Sequence, residues 1–119
     1  MRNQPKYNFF KNTIYALKGL KDLIKTETSF KIELSAAIVL TVVIIFIDTI
    51  LSYKLLMFIS LMGMLIAESI NSAIERVVDL VTLEHNEMAG RAKDVGSSIV
   101  FLSIAVFAIT WFFILAEII

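Results

Sequence analysis

The acidic residues that could do chemistry are concentrated in one stretch, Glu68 to Ser98. Glu68, Glu75, Asp79, Glu84, Glu87 and Asp94 lie there, out of eleven Asp and Glu in the whole chain. Carboxylates can take a proton from a hydroxyl or hold a divalent cation. Glu68 to Val81 contains no Pro or Gly and is rich in Ala, Glu, Arg and Leu, which favour helix. At about 100° per residue, Glu68, Ser72, Glu75 and Asp79 fall within roughly 60° of one another, and Asn71 lies about 60° from Glu68. Glu68 and Glu75 are then about 10.5 Å apart along the axis, too far to share one ion. That distance suits a division of labour, with a base at one end and a cation site at the other.

A solvated helix face would also be acidic, and position is what argues against it. Glu68 directly follows the uncharged run Leu55 to Ala67. An ionisable group in or beside hydrocarbon costs roughly 2.5–3.5 kcal/mol on insertion scales, which makes it a functional candidate. Asn71 and Ser72 add polar atoms that also need partners. The opposite face, including Ile70, Ile74, Val77 and Val81, is apolar.

The elements that must position these groups are read from hydropathy. The 119 residues are 58% hydrophobic, with a mean hydropathy of +0.82; soluble domains carry about 45–50% apolar residues. Phe9 to Lys25 has helical period: Phe9, Phe10, Ile14, Leu17, Leu20 and Ile24 share one face, and Lys11, Lys18 and Lys25 lie on another. Such a helix suits the water–lipid interface, and Gly19 inside it would permit close packing or a bend. Leu34 to Ile47, Leu55 to Ala67 and Val95 to Ala116 are uncharged. Extended by snorkelling ends, they predict three spanning helices. The expected fold class is all-α: an integral membrane protein of one domain, 1–119. It has a surface helix at about 9–26 and spans at about 30–48, 54–70 and 97–117. Residues 1–8, with the only proline, Pro5, predict a loose start. Residues 1–29 lack the continuous apolar core of a cleavable signal.

Ten of the eleven lysines and arginines precede the first span or lie between the second and third; only Lys54 falls on the other side. The positive-inside rule then puts the N-terminus and the acidic stretch in the cytoplasm, with ATP. There is no cysteine, which excludes disulfides and thiolate metal sites, and the net charge of zero offers nothing for a nucleic acid. Gly90 and Gly96 flank Arg91, Lys93 and Asp94, and small residues and amides beside a lysine can hold phosphate. No G-x-x-x-x-G-K-[ST] or G-x-G-x-x-G loop is present.

The pattern E-x-x-N-S-A-I-E-x-V-V-D (Glu68 to Asp79), followed by G-R-A-K-D-x-G-S (Gly90 to Ser97), resembles the prokaryotic diacylglycerol kinase family. So do Y-x-x-K-G-L (Tyr15 to Leu20) and E-x-x-F-K-x-E (Glu27 to Glu33). The resemblance implies a small three-helix lipid kinase of the bacterial inner (cytoplasmic) membrane. It also implies a homotrimer with active sites between neighbouring protomers, ATP as co-substrate and Mg2+ as cofactor. Glu68 corresponds to the general base at the lipid hydroxyl. Glu27 and Glu75 match the carboxylates that hold magnesium with the ATP phosphates. Asn71, Gly90, Lys93 and Asp94 match the polar surround of the nucleotide, and Tyr15 and Glu84 its nucleoside contacts. His85 and Asn86 stand at nucleotide-facing positions where the family usually has an aromatic and then His. Asn8 replaces a basic residue, and Ala16-Leu17 a Ser-Trp pair. Ser97 and Trp111 match positions near the lipid substrate; Trp111 also reads as a packing or interfacial aromatic.

The relatives that phosphorylate undecaprenol share the acidic motif, so that alcohol is the alternative substrate. A small transporter or non-enzymatic membrane subunit would use an intramembrane carboxylate such as Glu68. It would have no need of Glu75, Asp79, Lys93 and Asp94 at a cytoplasmic surface.

Overall fold

A computed structural model describes residues 6–119; the polar start around Pro5 lies partly outside the described residues. Four helices follow one another: α1 (Phe9–Thr26), α2 (Thr28–Phe46), α3 (Leu51–Val81) and α4 (Glu87–Ile118). No strand occurs among the described residues. Three of the helices, α2, α3 and α4, are long and apolar enough to cross a membrane.

Each boundary has a local cause. Asn8 caps α1 by accepting a hydrogen bond from the Lys11 amide at 3.1 Å. Glu27 ends α1 in extended backbone and at once serves as the N-cap residue of α2, so a single residue joins the two helices. Residues 47–50 turn the chain into α3. Lys54 Nζ donates to the Ile45 carbonyl at 3.0 Å, satisfying one of the four carbonyls a helix end leaves open. At the other end, Asn86 caps α4 through Ala89 N at 3.0 Å, which confines the turn to Thr82–Asn86. Along α1, Phe9, Phe10, Ile14 and Leu17 are exposed and no residue is buried, as suits a helix lying on a bilayer surface. A Cβ at Gly19 would meet nothing within 4 Å. The helix runs through that glycine without a break, and the close packing expected there is not found within the chain.

Helix α3 packs along α4 and against α2, while α1 packs on α2. The buried positions of α3 are Met57, Ser60, Leu61, Ala67, Glu68 and Ser72. They form one stripe, apolar at the start and polar at the end. The apolar end is the core: Ile44, Met57, Leu61, Trp111 and Ile114. Lipid tails are as apolar as these side chains, so close packing and hydrogen bonds hold the bundle more than water expulsion does. Trp111 supplies both, with its indole Nε1 donating to Ser60 Oγ at 3.0 Å and to the Met57 carbonyl at 3.3 Å. Helix α4, at 32 residues, is about 48 Å long. It therefore outruns a ~30 Å hydrocarbon layer and carries its charged first turns beyond it.

Candidate active site

The stripe on α3 changes character at Glu68. That residue is 9% exposed and Ser72 one turn on is 3% exposed, so the carboxylate faces inward, as Met57 and Leu61 do. Glu75 and Glu27 lie within its electrostatic reach. So does Glu33, projecting from α2. Glu27, Glu33 and Glu75, from the α1–α2 junction, α2 and α3, thus lie around Glu68 in the groove between α2 and α3. One oxygen of Glu33, Oε2, is buried without a hydrogen-bond partner, and so is Asn71 Oδ1. Buried polar atoms without partners are uncommon; Glu33 lines a pocket between α2, α3 and Phe107 of α4.

Asn71 Nδ2 donates to Glu75 Oε1 at 3.2 Å and so orients that carboxylate. Close packing from α4 fixes Asn71 in turn. A Cβ placed on Gly96 would come 2.4 Å from Asn71 Oδ1 and 3.5 Å from Ile74 Cγ2. Only glycine lets α4 approach the asparagine this closely.

Two cation–carboxylate arrangements flank the groove. Lys93 on α4 donates to Asp79 Oδ1 on α3 at 2.7 Å. Arg76 Nη1 bonds Asp22 Oδ2, while Nη2 donates to Thr26 Oγ1 at 3.0 Å and to Glu27 Oε1 at 3.1 Å. Both cations lie outside the stretches 54–70 and 97–117 expected to span. The Asp79 hydrogen bond holds the Lys93 ammonium above its ordinary pKa. The hydrogen bonds it donates to Asp22 and then Glu27 do the same for the Arg76 guanidinium.

At the turn between α3 and α4 a cavity of about 370 Å³ opens, lined among others by Glu84, His85, Asn86, Gly90 and Lys93. That is within the roughly 300–1,000 Å³ of ligand pockets. The residues expected to meet the nucleotide are therefore gathered in two places: Glu27, Asn71 and Glu75 in the groove, and the turn residues around the cavity. Tyr15 is half-buried on α1; Asp94 is exposed and does not line the cavity. Ser97 is exposed beside Gly96. Trp111 stands about 27 Å along α4 from Lys93, its indole N–H engaged in the core.

Among the described residues no three His, Asp or Glu side chains converge as a metal cage. Mg2+ does not require one, since it is usually bound by one or two carboxylates plus substrate phosphates and water. Glu27 and Glu75, both within reach of Glu68, fit that pattern.

Sequence reasoning missed three participants. Glu33 reads as a snorkelling residue at the start of a span. The insertion cost that singles out Glu68 applies equally to it, and it stands six positions after Glu27. Arg76 reads only as a positive-inside charge. The sequence gives no sign of its bond to Asp22, because the partners lie on helices fifty-four positions apart.

A model of the prokaryotic diacylglycerol kinases matches residues 14–115. The chain is 38% identical over 100 residues to the diacylglycerol kinase of Haemophilus influenzae, covering 84% of this chain and 85% of the relative. It is 39% identical over 97 residues to that of Escherichia coli K12, covering 82% and 80%. To the undecaprenol kinase of Bacillus subtilis it is 30% identical over 101 residues, covering 85% and 79%. Matched over residues 14–115 and 38–39% identical to two diacylglycerol kinases along most of its length, the chain belongs to the prokaryotic diacylglycerol kinase family.

Proposed function

We propose that this protein transfers the γ-phosphate of ATP to the hydroxyl of diacylglycerol, giving phosphatidic acid, at the cytoplasmic face of the bacterial inner membrane. The observation that carries the reading is the switch along the buried stripe of α3, from hydrocarbon-compatible packing to carboxylates at Glu68. A lipid alcohol reaches that level from the bilayer, and a charged nucleotide reaches it from water.

Phosphoryl transfer asks for positioning, charge neutralisation and a group that receives the nucleophile's proton. Glu68 is the base: it accepts the proton of the lipid hydroxyl as the oxygen attacks the γ-phosphorus and the bond to the β-phosphate oxygen breaks, releasing ADP. Glu33 Oε2, buried beside it, adds an acceptor. Glu75 and Glu27 hold Mg2+, which when bound neutralises the phosphate oxygens. Asn71 keeps Glu75 in place, and Lys93 offers an ammonium to the phosphates. Glu84, His85, Asn86 and Gly90 receive the nucleoside end in the turn cavity, with Tyr15 and Asp94 close to the nucleotide. Ser97 and Trp111 are assigned to the lipid's path.

The working unit is a homotrimer. Large apolar side chains on the outer faces, such as Phe101 at 71% and Phe112 at 66% exposed, await lipid or a second copy. Undecaprenol is the second candidate alcohol, because one relative 30% identical to this chain bears that name.

The test is a mixed-micelle assay with Mg2+ and ATP on both alcohols. Diacylglycerol is expected to be phosphorylated with the higher kcat/KM. Preference for undecaprenol would reassign the substrate, and no transfer to either would refute the kinase reading.

A further inference from the structure

We propose that Arg76 is a positioning residue of the kinase: it clamps the end of the surface helix to α3 and holds Glu27 in the carboxylate groove. The inference rests on Glu27 being a cation-holding carboxylate, as set out above.

Glu27 is the sole link between α1 and α2, its backbone extended at φ −107° and ψ 107°, so no helical turn on its own fixes where its side chain points. A carboxylate that must meet a cation within a few tenths of an ångström needs another restraint. Arg76 supplies it from across the groove. Its planar fork engages Asp22, Thr26 and Glu27 together, which are one turn and one residue apart along α1. Lysine, a point charge, cannot bridge such a set.

The details agree with one another. The Thr26 hydroxyl donates to the Asp22 carbonyl at 2.8 Å and so turns its lone pairs toward the guanidinium. The cation sits at the C-terminus of α1, where a helix favours positive charge. Arg76 meets Glu27 through a single oxygen, Oε1, and therefore orients the group without enclosing it. Asp22 takes the other arm of the fork, so Arg76 stays anchored when a cation draws on Glu27. Arg76 touches no reacting atom; its effect on the reaction passes through Glu27.

The sign of the kinetic effect discriminates. If Arg76 positions Glu27, Arg76→Ala raises KM for Mg·ATP about three- to tenfold and leaves kcat within about twofold. Exposed ion pairs are each worth up to about a factor of five, and two are lost. Asp22→Ala gives a smaller rise in the same direction, the double variant adds little to Arg76→Ala, and Arg76→Lys recovers only part. If Arg76 instead withholds Glu27 from the cation, Arg76→Ala lowers KM, and that result overturns the proposal. So does a fall in kcat alone, the mark of a merely structural role.

A second measurement is independent of turnover. Hydrogen exchange on the nucleotide-free protein in nanodiscs should show the amides of Asp22 to Glu27 exchanging several-fold faster in Arg76→Ala. Unchanged exchange overturns the clamp. A wild-type chain that phosphorylates neither alcohol would refute the kinase reading and the kinetic part of this assignment, leaving exchange to decide the clamp.

Discussion

Adding one methyl group at Gly96 should disable the site from behind. An alanine Cβ there would sit 2.4 Å from Asn71 Oδ1, about 1 Å short of the 3.4 Å at which ordinary contact begins. Asn71 is short and packed between α3 and α4, so its amide must swing or α4 must back away. Either movement acts on a hydrogen bond that is already long, Nδ2 to Glu75 Oε1 at 3.2 Å, and a further ~1 Å breaks it. A hydrogen bond to a charged group is worth about 1.5–3 kcal/mol, roughly ten- to 150-fold in kcat/KM for Mg·ATP. Overpacking should also cost about 1–3 kcal/mol of stability. The assay is steady-state transfer to diacylglycerol in mixed micelles, with thermal unfolding measured on the same preparation. Gly19→Ala is the control, because its methyl meets nothing within 4 Å and improves helix propensity by up to ~1 kcal/mol. If Gly96→Ala keeps kcat/KM within twofold of wild type, the asparagine does not hold Glu75 and the reasoning fails.

Glu68→Gln should lose about 10²–10⁴-fold in kcat, the usual contribution of a general base, with helix content and oligomer size unchanged; residual turnover within tenfold of wild type would remove Glu68 from that role. Trp111→Phe deletes the indole donor to Ser60 and Met57 and should lower stability by about 0.6–2 kcal/mol, read as an earlier midpoint in a denaturing-detergent titration. Asp79→Ala removes the hydrogen bond that raises the Lys93 pKa. A raised lysine keeps its ion pair fully below the unfolded value of about 10.4 and loses it as pH climbs through the folded value. Nucleotide affinity measured by fluorescent-analogue titration should therefore fall at lower alkaline pH in the variant than in wild type; coincident profiles would count against the pair.

Much of the architecture was legible because membrane insertion leaves long, uncharged runs that few other constraints produce. The surface helix was visible in the alternation of Phe9, Ile14 and Leu17 with lysines, whereas the caps that Asn8 and Asn86 make were not read from it. The acidic stripe was legible because helical period alone puts Glu68, Ser72 and Glu75 on one side. What lay hidden was pairing between helices. Nothing local says that Gly96 faces Asn71, that Asp79 meets Lys93, or that Arg76 crosses to Asp22, because those relations depend on the register of one helix against another. Glu33 was hidden differently: its charge looked like an edge marker, and only packing turned it inward toward Glu68.

The tryptophan fastening has a consequence for how this molecule tolerates change. The bundle is pinned by an apolar plug around Met57 and Trp111 at one extremity, whereas Glu68, Glu75 and Glu27 gather toward the other. Durability and turnover are thus housed at opposite ends of the same two long rods. Substitutions around the plug should alter how long the protein survives extraction from its bilayer, while those around the carboxylates should alter how fast it works. The two traits can drift, or be engineered, largely apart.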